Sequence, residues 1–133
     1  MDEIDRKILD ILEEDARKSY TEIGEQVDVS EGTVRNRVDK MMENDTIRKF
    51  SIERGMKESK AVVMAGLETD VDIGEVVESF PSDIKVMEIA GSYDLVIEIE
   101  EDSNPEINSK LDEIRSTAGV EETETYMVLN QRS

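Results

Sequence analysis

The sequence predicts an α+β protein in which an N-terminal winged helix-turn-helix unit is followed by a ferredoxin-like βαββαβ domain. Three amphipathic helical segments separated by turn signals occupy the first 45 residues. The second half alternates strand and helix patterns in the order βαββαβ, which is the ferredoxin-like arrangement. The predicted division places the helix-turn-helix unit at residues 1–50, a linker at 51–60 and the βαββαβ domain at 61–133.

The first helix is predicted to begin after Asp2 and to end near Asp15. Aspartate is a preferred N-cap because its carboxylate accepts a hydrogen bond from an unpaired amide of the first turn. The apolar residues of this segment recur at helical spacing and form one stripe: Ile4, Ile8, Leu9, Ile11 and Leu12.

The second helix is predicted to begin at Ser19, which forms a capping box with Glu22. Gly24 has no side chain and therefore permits the close approach of another helix. Asp28 and Val29 form the turn that follows, since aspartate is one of the few residues that tolerate the left-handed backbone conformation.

Ser30 is predicted to cap a third helix with two distinct faces. Its apolar face comprises Val34, Val38, Met41 and Met42, and its polar face comprises Thr33, Asn36, Arg37 and Lys40. A polar helix face is usually just a solvated surface, but the preceding helix and the turn chemistry favour a recognition helix that enters the major groove of DNA. Asn44-Asp45 then marks a turn, and residues 47–52 (IRKFSI) read as a short wing strand. Its Arg48 and Lys49 are placed to touch DNA phosphates.

The second half begins with residues 61–67, an apolar run typical of a central strand that is buried on both faces. Asp72 and Glu75 predict another capping box, and Pro81 ends that helix. Strands follow at residues 84–90 and from Leu95, where apolar and polar side chains alternate, with a turn at 91–94 between them.

The last helix is predicted to be capped by Ser103 or Asn104, with Pro105 at its first position, and to be closed by Gly119. Residues 120–129 form the fourth strand. A βαββαβ lobe carries both helices on one face of its sheet, so the other face needs a cover. A second copy of the chain is the economical choice.

The composition of the chain excludes several kinds of chemical site. The chain has neither cysteine nor histidine, which excludes disulfides, a Cys/His zinc site and a histidine acid or base, and no cofactor is expected. No apolar run approaches the length of a membrane span, so a cytoplasmic protein with no membrane partner is expected.

The net charge of −18 is unevenly distributed, with −4 in residues 1–60 and −14 in residues 61–133. Basic residues cluster in and just after the third helix, where DNA would lie: Arg35, Arg37, Lys40, Arg48 and Lys49. The acidic excess suggests adaptation to a salt-rich, halophilic cytoplasm, because salt screens the self-repulsion of the chain. Ordinary acidic solubilisation is the alternative explanation.

Four stretches in order resemble the Lrp/AsnC (leucine-responsive and asparagine regulator) family. They are DEIDRKILDIL at the start, EIGEQVDVSEGTVRNRV in the helix-turn-helix, GSYDLVI after the second strand and AGVEETETYMVL at the end. The resemblance covers nearly the whole chain. It implies a transcription regulator that binds double-stranded DNA, forms a homodimer or higher homo-oligomer through its C-terminal sheets, and often binds an amino acid at the seam between those domains.

The resemblance also implies the site residues. Ser30, Thr33, Asn36, Arg37 and Lys40 match the recognition helix, with Arg35 on its flank. Gly91, Ser92, Tyr93 and Asp94 match a Gly-x-aromatic-Asp effector loop, and Thr123 and Thr125 match the final strand. Asp94 would accept hydrogen bonds from an ammonium group, and amides near Gly91 would hold a carboxylate. The alternative for this loop is a tight turn without a ligand.

Two departures from the family pattern and two other functions bear on this interpretation. Asp28 replaces a glycine in the helix-turn-helix turn, and Ser92 stands where the family often has a second acid. Sirohaem decarboxylases resemble the family in fold, but they are expected to use histidine and basic residues around an anionic tetrapyrrole, whereas this chain has no histidine and its C-terminal half is acidic. An architectural protein that coats DNA without sequence preference would need more basic surface.

Overall fold

Helices α1 (Glu3–Glu14), α2 (Tyr20–Val27) and α3 (Glu31–Glu43) form the N-terminal unit of the chain. The computed structural model describes residues 1–132, and its backbone contacts divide the chain into two units, Met1–Glu53 and the part from Arg54 onward. The division after Glu53 falls inside the segment that the sequence assigns to a linker.

Helix caps account for where these helices begin. The Asp2 carboxylate caps α1 by accepting the Asp5 amide, and the Asp5 carboxylate accepts the Asp2 amide in return, which makes a complete capping box. Ser19 caps α2 by accepting the Glu22 amide at 3.1 Å, but the structure records only this half of the box predicted there. The Glu22 side chain is exposed to water, which competes for its carboxylate.

The core of the N-terminal unit draws on all three helices and on the segment that follows α3. Its members are the buried apolar residues of the stripes that the sequence shows: Ile8, Leu12, Ile23, Val34, Val38, Met41 and Ile47. Met42 was also predicted to belong to this core. That prediction is wrong, because the Met42 side chain is 38% exposed at the edge of the apolar face of α3.

The predicted wing strand at residues 47–52 is not formed. The Ile47 amide donates to the Met41 carbonyl at 2.9 Å and ties the start of this segment to α3. Farther along, Phe50 and Ile52 are 46% and 83% exposed, and residues 47–57 have no regular secondary structure. A strand needs a neighbour to pair its amides and carbonyls, and this unit contains no other strand among its described residues.

The second unit is a βαββαβ lobe, as predicted. Its strands are β1 (Ser59–Leu67), β2 (Lys85–Glu88), β3 (Leu95–Glu101) and β4 (Val120–Met127), and its helices are α4 (Ile73–Glu78) and α5 (Asn104–Arg115). The sheet is antiparallel in the order β2-β3-β1-β4, so β1 is central.

Several element ends differ from the prediction. The second strand is shorter than predicted, and α5 ends four residues before Gly119. Ser103 is the N-cap of α5, and Pro105 is its second residue rather than its first. Asp72 caps α4 by accepting the Glu75 amide at 3.2 Å, and α4 ends before Pro81. Turns with their own hydrogen bonds, rather than the nearest glycine or proline, terminate these helices.

One face of the sheet packs against both helices and contains the core of this unit. Alternate residues of the two central strands are fully buried there: Ala61, Val63, Ala65, Leu95, Ile97 and Ile99. The other face, called the open face below, carries the intervening side chains, namely Lys60, Val62, Met64, Lys85, Met87, Val96, Glu98, Glu100, Glu122, Glu124 and Tyr126. Because Val62 and Met64 remain partly exposed, the prediction that β1 is buried on both faces is wrong within a single chain.

In the part of the chain that is described, every helix is too short or too polar to cross a bilayer.

Candidate functional site

The turn between α2 and α3 is tight, and three residues make it possible. Asp28 adopts the left-handed conformation, with φ 65° and ψ 46°, as its place in the sequence predicts. The Val29 amide donates to the Gly24 carbonyl at 2.9 Å. A Cβ atom on Gly24 would lie 2.6 Å from the Val29 carbonyl oxygen, so glycine is required by the turn rather than by a neighbouring helix.

Ser30 begins α3 immediately after this turn. Its hydroxyl accepts the Thr33 amide at 3.1 Å and lies 2.9 Å from the Thr33 hydroxyl, so both predicted contact residues also serve the local structure of the helix. The opposite face of α3, carrying Val34 and Val38, is buried in the core. This packing turns the polar stripe of α3 outward.

The predicted recognition residues on the outward stripe differ in their exposure and in their contacts within the chain. Asn36 and Lys40 are exposed, and Thr33 is partly buried. Arg35 lies on the flank, where it forms an ion pair with Glu31 and its guanidinium lies 5.1 Å from the centroid of the Tyr20 ring. The hydrogen bond from Arg35 to Glu31 raises the pKa of the guanidinium further above its usual value.

Arg37 is held by the first turn of α1. Its Nη1 atom forms an ion pair with Asp2 and lies 3.3 Å from a carboxylate oxygen of Asp5, and the Arg37 side chain is 30% exposed. The hydrogen bond from Arg37 is the main reason that the pKa of Asp2 is lowered, and it also raises the pKa of Arg37. Because 32 residues separate Arg37 from Asp5, no local pattern could have revealed this contact.

The two basic residues of the predicted wing are exposed in an irregular segment. Arg48 and Lys49 directly follow Ile47. Because Ile47 is buried and bonded to α3, it fixes the point at which the exposed segment begins. Both charges are therefore available to an anionic partner, although no strand presents them.

In the second unit, residues 91–94 form a loop that is fastened by Asp94. Its carboxylate accepts the Leu67 amide at 2.8 Å, its own amide donates to the Ala65 carbonyl at 2.9 Å, and its carbonyl accepts the Ile89 amide at 2.9 Å. Gly91 has a φ of 157°, which side chains disfavour, and Ser92 is exposed. One Asp94 oxygen is therefore used by the Leu67 amide, which lies 27 residues away along the chain and outside the turn.

Tyr93 joins this loop to β4 on the open face. Its hydroxyl donates to Glu124 at 2.6 Å, and Tyr126 also donates to that carboxylate. The hydrogen bond to Glu124 raises the pKa of Tyr93 to about 12. The pKa of Glu124 is lowered, chiefly by the hydrogen bond from Tyr126 and next by the one from Tyr93. Alternation along β4 places Glu124 and Tyr126 on one face, and that signal in the sequence was overlooked.

Thr123 and Thr125 lie on the other face of the sheet. Thr123 is opposite Ala65 and Thr125 opposite Val63, whose side chains are buried beneath the helices. The Thr123 hydroxyl accepts a 3.3 Å hydrogen bond from Arg115, and the buried Thr125 hydroxyl has no partner among residues 1–132. A single chain thus brings Gly91, Ser92, Tyr93 and Asp94 together in one loop but does not bring the two threonines to the Tyr93 face.

Within residues 1–132, no three acidic groups converge closely enough to hold an ion.

Comparison with protein families assigns both halves of the chain. Residues 1–42 match the AsnC-type helix-turn-helix domain, and residues 61–133 match the Lrp/AsnC ligand binding domain. The HTH-type transcriptional regulator LysM of Saccharolobus solfataricus is 34% identical over 133 residues, which cover 97% of this chain and 94% of LysM. The HTH-type transcriptional regulator FL11 of Pyrococcus abyssi is 33% identical over 135 residues, covering 97% and 89%.

Solved structures show the same architecture. AsnC of E. coli superimposes with a TM-score of 0.82 at 25% identity, covering 98% of this chain and 93% of AsnC. LrpC of B. subtilis superimposes with a TM-score of 0.82 at 20% identity, and the match covers 100% of this chain and 97% of LrpC. A transcriptional regulator of Neisseria meningitidis, solved as an L-Met complex, gives 0.86 at 18% identity, with coverage of 100% and 92%.

Proposed function

The chain belongs to the Lrp/AsnC family of DNA-binding transcription regulators with a ligand-binding domain, and from this premise we propose how it reads DNA, assembles and senses a ligand. It recognises a specific duplex through α3, works as a homodimer or higher homo-oligomer, and binds an amino acid in its second domain. Its relatives are named as regulators, and we propose no catalytic activity for it.

The observation that carries DNA reading is the geometry of the α2–turn–α3 segment. The left-handed Asp28 and the contact of Gly24 with Val29 set the two helices, and the buried face of α3 orients its polar stripe outward. Asn36 and Lys40 are exposed on that stripe, and an amide and an ammonium there suit base edges and phosphates. The proposed DNA-binding set is Ser30, Thr33, Arg35, Asn36, Arg37, Lys40, Arg48 and Lys49.

The open face of the sheet supports the homodimer. It carries Met64 and Val96 at its centre and Met87 and Tyr126, which are 56% and 52% exposed, toward its edges. A patch of this kind is expected to be covered, and a second copy covers it with the same residues under two-fold symmetry. A dimer would also place two recognition helices about one helical turn of DNA apart on a pseudo-palindromic site.

The loop at residues 91–94 supports an amino-acid ligand. One Asp94 oxygen is bound to the Leu67 amide, which leaves the other as an acceptor for an ammonium group. The matched ligand binding domain covers this loop, and one structural relative was solved with L-Met. The proposed effector set is Gly91, Ser92, Tyr93, Asp94, Thr123 and Thr125. The two threonines would join it only across a subunit seam. A regulator of chromosomal DNA acts in the cytoplasm, which is where we place this protein.

Selection of duplexes from a random DNA pool tests this proposal. The purified chain is incubated with the pool in molar KCl, with and without a mixture of amino acids. We expect enrichment of a palindrome and a change of enrichment when amino acids are added. Asn36→Ala should abolish the enrichment, whereas Asn108→Ala, which removes an exposed amide from α5, should retain it. A folded wild-type chain that enriches no sequence would contradict specific recognition.

A further inference from the structure

Arg37 is tied to two carboxylates through only one of its nitrogen atoms. Both contacts, to Asp2 and to Asp5, are made by Nη1. A guanidinium has five N–H donors in a planar fork, so Nε–H and the two donors on Nη2 are left outside this contact. The side chain is 30% exposed and borders a surface hollow of about 490 Å³ that Lys40, Asn44 and Thr46 also line. The remaining donors thus have room for an acceptor from outside the chain.

The carboxylates come from a rigid element. Asp2 caps α1 through one oxygen, which accepts the Asp5 amide at 3.0 Å, and uses the other for Arg37. Asp5 completes the capping box and is 15% exposed. An arginine oriented before binding loses less conformational entropy when its fork meets a planar acceptor pair.

The same carboxylates change which acceptor suits Arg37. Arg37, Asp2 and Asp5 together carry a net charge of −1, and Lys40, which lines the same hollow, brings the sum to zero. A phosphate therefore gains little net attraction there and is repelled by the two carboxylates beside Arg37. The O6 and N7 atoms of guanine are uncharged acceptors that pair with two parallel N–H donors. The arrangement therefore favours a base edge over the DNA backbone.

We propose that Asp2 and Asp5 are specificity-determining positioning residues, which hold Arg37 so that its free fork reads one guanine of the bound DNA. This inference rests on the proposed function, because it requires α3 to enter the major groove. It assigns a role in base discrimination to two acidic residues that lie outside the recognition helix and whose charge opposes DNA binding in general.

The test compares the double variant Asp2→Asn/Asp5→Asn with the wild-type full chain. Asparagine is as good an N-cap as aspartate, so α1 should retain its start. Affinity is measured in one KCl concentration for the duplex that the wild type selects, for duplexes substituted at each base pair and for a random duplex. We expect the variant to bind the random duplex more tightly and to lose roughly tenfold of its preference at one G·C pair.

Two further variants separate positioning from other roles. Glu3→Gln removes one charge from the same turn without contacting Arg37 and should leave base preference unchanged. Arg37→Lys keeps the charge but lacks the fork, and should lose the same base preference as the double variant. A merely structural tie would lower the unfolding temperature and weaken binding to every duplex by one common factor, which would overturn the inference.

Failure of this inference is distinguishable from failure of the proposed function. If the wild type selects a duplex and the double variant keeps its full base preference, Asp2 and Asp5 do not position Arg37 for reading. If the wild type selects no duplex, specific recognition itself is overturned, and this inference falls with it.

Discussion

The Asp94 carboxylate accepts a 2.8 Å hydrogen bond from the Leu67 amide and thereby fastens the loop at residues 91–94 to the end of β1. This bond means that removal of Asp94 disturbs the fold as well as any ligand. Two substitutions at this position can separate the effects, because asparagine keeps an oxygen acceptor and loses the charge, whereas alanine loses both.

We predict that Asp94→Ala lowers the free energy of unfolding by about 1–3 kcal/mol, because the Leu67 amide loses its partner. Asp94→Asn should remain close to the wild type in stability and lose binding of amino acids, because the ammonium group loses its counter-ion. Thermal unfolding and calorimetric titration with an amino acid mixture measure the two properties. If Asp94→Asn still bound amino acids, the Asp94 carboxylate would not be the counter-ion of the ammonium group, and the loop would act only as a turn.

The Tyr93–Glu124 hydrogen bond predicts a loss of stability at alkaline pH. Tyr93 has its pKa raised from 10.0 to about 12 in the folded chain, chiefly by the bond to Glu124. The folded state therefore holds this proton more tightly than the unfolded state. The contribution should be complete below pH 10.0 and should disappear as the pH rises to about 12.

Absorbance of tyrosinate during alkaline titration measures this shift. Glu124→Gln should move the titration of Tyr93 back toward its ordinary value, whereas Glu122→Gln, which removes a nearby charge but not the bond, should move it less. Tyr93→Phe identifies the late-titrating group. At the acid end Glu124, whose pKa is lowered, should lose its stabilising contribution as the pH falls below about 4.5. Equal effects of the two glutamine variants on Tyr93 would contradict the hydrogen-bond account.

Gly24, in the second half of α2, and Gly32, in the first turn of α3, predict opposite effects of the same substitution. Gly24→Ala should unfold the turn, because the new Cβ would lie 2.6 Å from the Val29 carbonyl oxygen, and this clash outweighs the roughly 1 kcal/mol that alanine gains in a helix. Gly32→Ala should be neutral or stabilising by up to about 1 kcal/mol, because the nearest atom is the Ser30 hydroxyl at 4.0 Å. Chemical denaturation followed by circular dichroism compares them. Similar stabilities for the two variants would argue against the tight turn.

A charge introduced at the centre of the open face should prevent formation of the homodimer. Met64→Glu places a carboxylate at the centre of that face beside Glu124, its partner on β4, and two copies would then bring several acids together. We expect a folded monomer by sedimentation velocity and weaker binding to a palindrome. Asn108→Glu adds the same charge on α5 and should remain a dimer. A Met64→Glu dimer would place the interface elsewhere.

The acidic excess predicts stabilisation by salt. With a net charge of −18, the chain repels itself over a Debye length of about 10 Å at 0.1 M salt, which falls to about 3 Å at 1 M. The unfolding temperature should rise from dilute buffer to molar KCl, and more than in an uncharged osmolyte of equal osmolality. Full folding in dilute buffer, with no further gain in KCl, would favour ordinary acidic solubilisation.

Much of the fold follows from short-range patterns. The cap at Asp2 and the left-handed Asp28 depend on a few neighbouring residues, and both are found as predicted. Strand β3 alternates cleanly, so its buried residues Leu95, Ile97 and Ile99 are evident from the sequence. The wing strand failed because alternation alone does not supply a pairing partner.

The candidate site was less accessible to sequence reasoning, because its polar groups are placed by contacts between distant elements. The stripe of α3 was identified, but the pairing of Arg37 with α1 was not. Along β4 most residues are polar, so the face of Thr123 and Thr125 had no hydrophobic signal to mark it. Only the pairing of β4 with β1 shows that they lie away from Tyr93.

By itself the sequence determined the order of the elements, most helix starts, the turn between α2 and α3 and the apolar side of each element, because caps, backbone conformations and periodicity act over a few residues. The tertiary structure alone decided which polar side chains are already bound within the chain. It joined Arg37 to Asp2, and it assigned Asp94 to Leu67 and Tyr93 to Glu124. These partners lie 27 to 35 residues apart, so their polar groups are brought together by the packing of the apolar faces and not by local sequence.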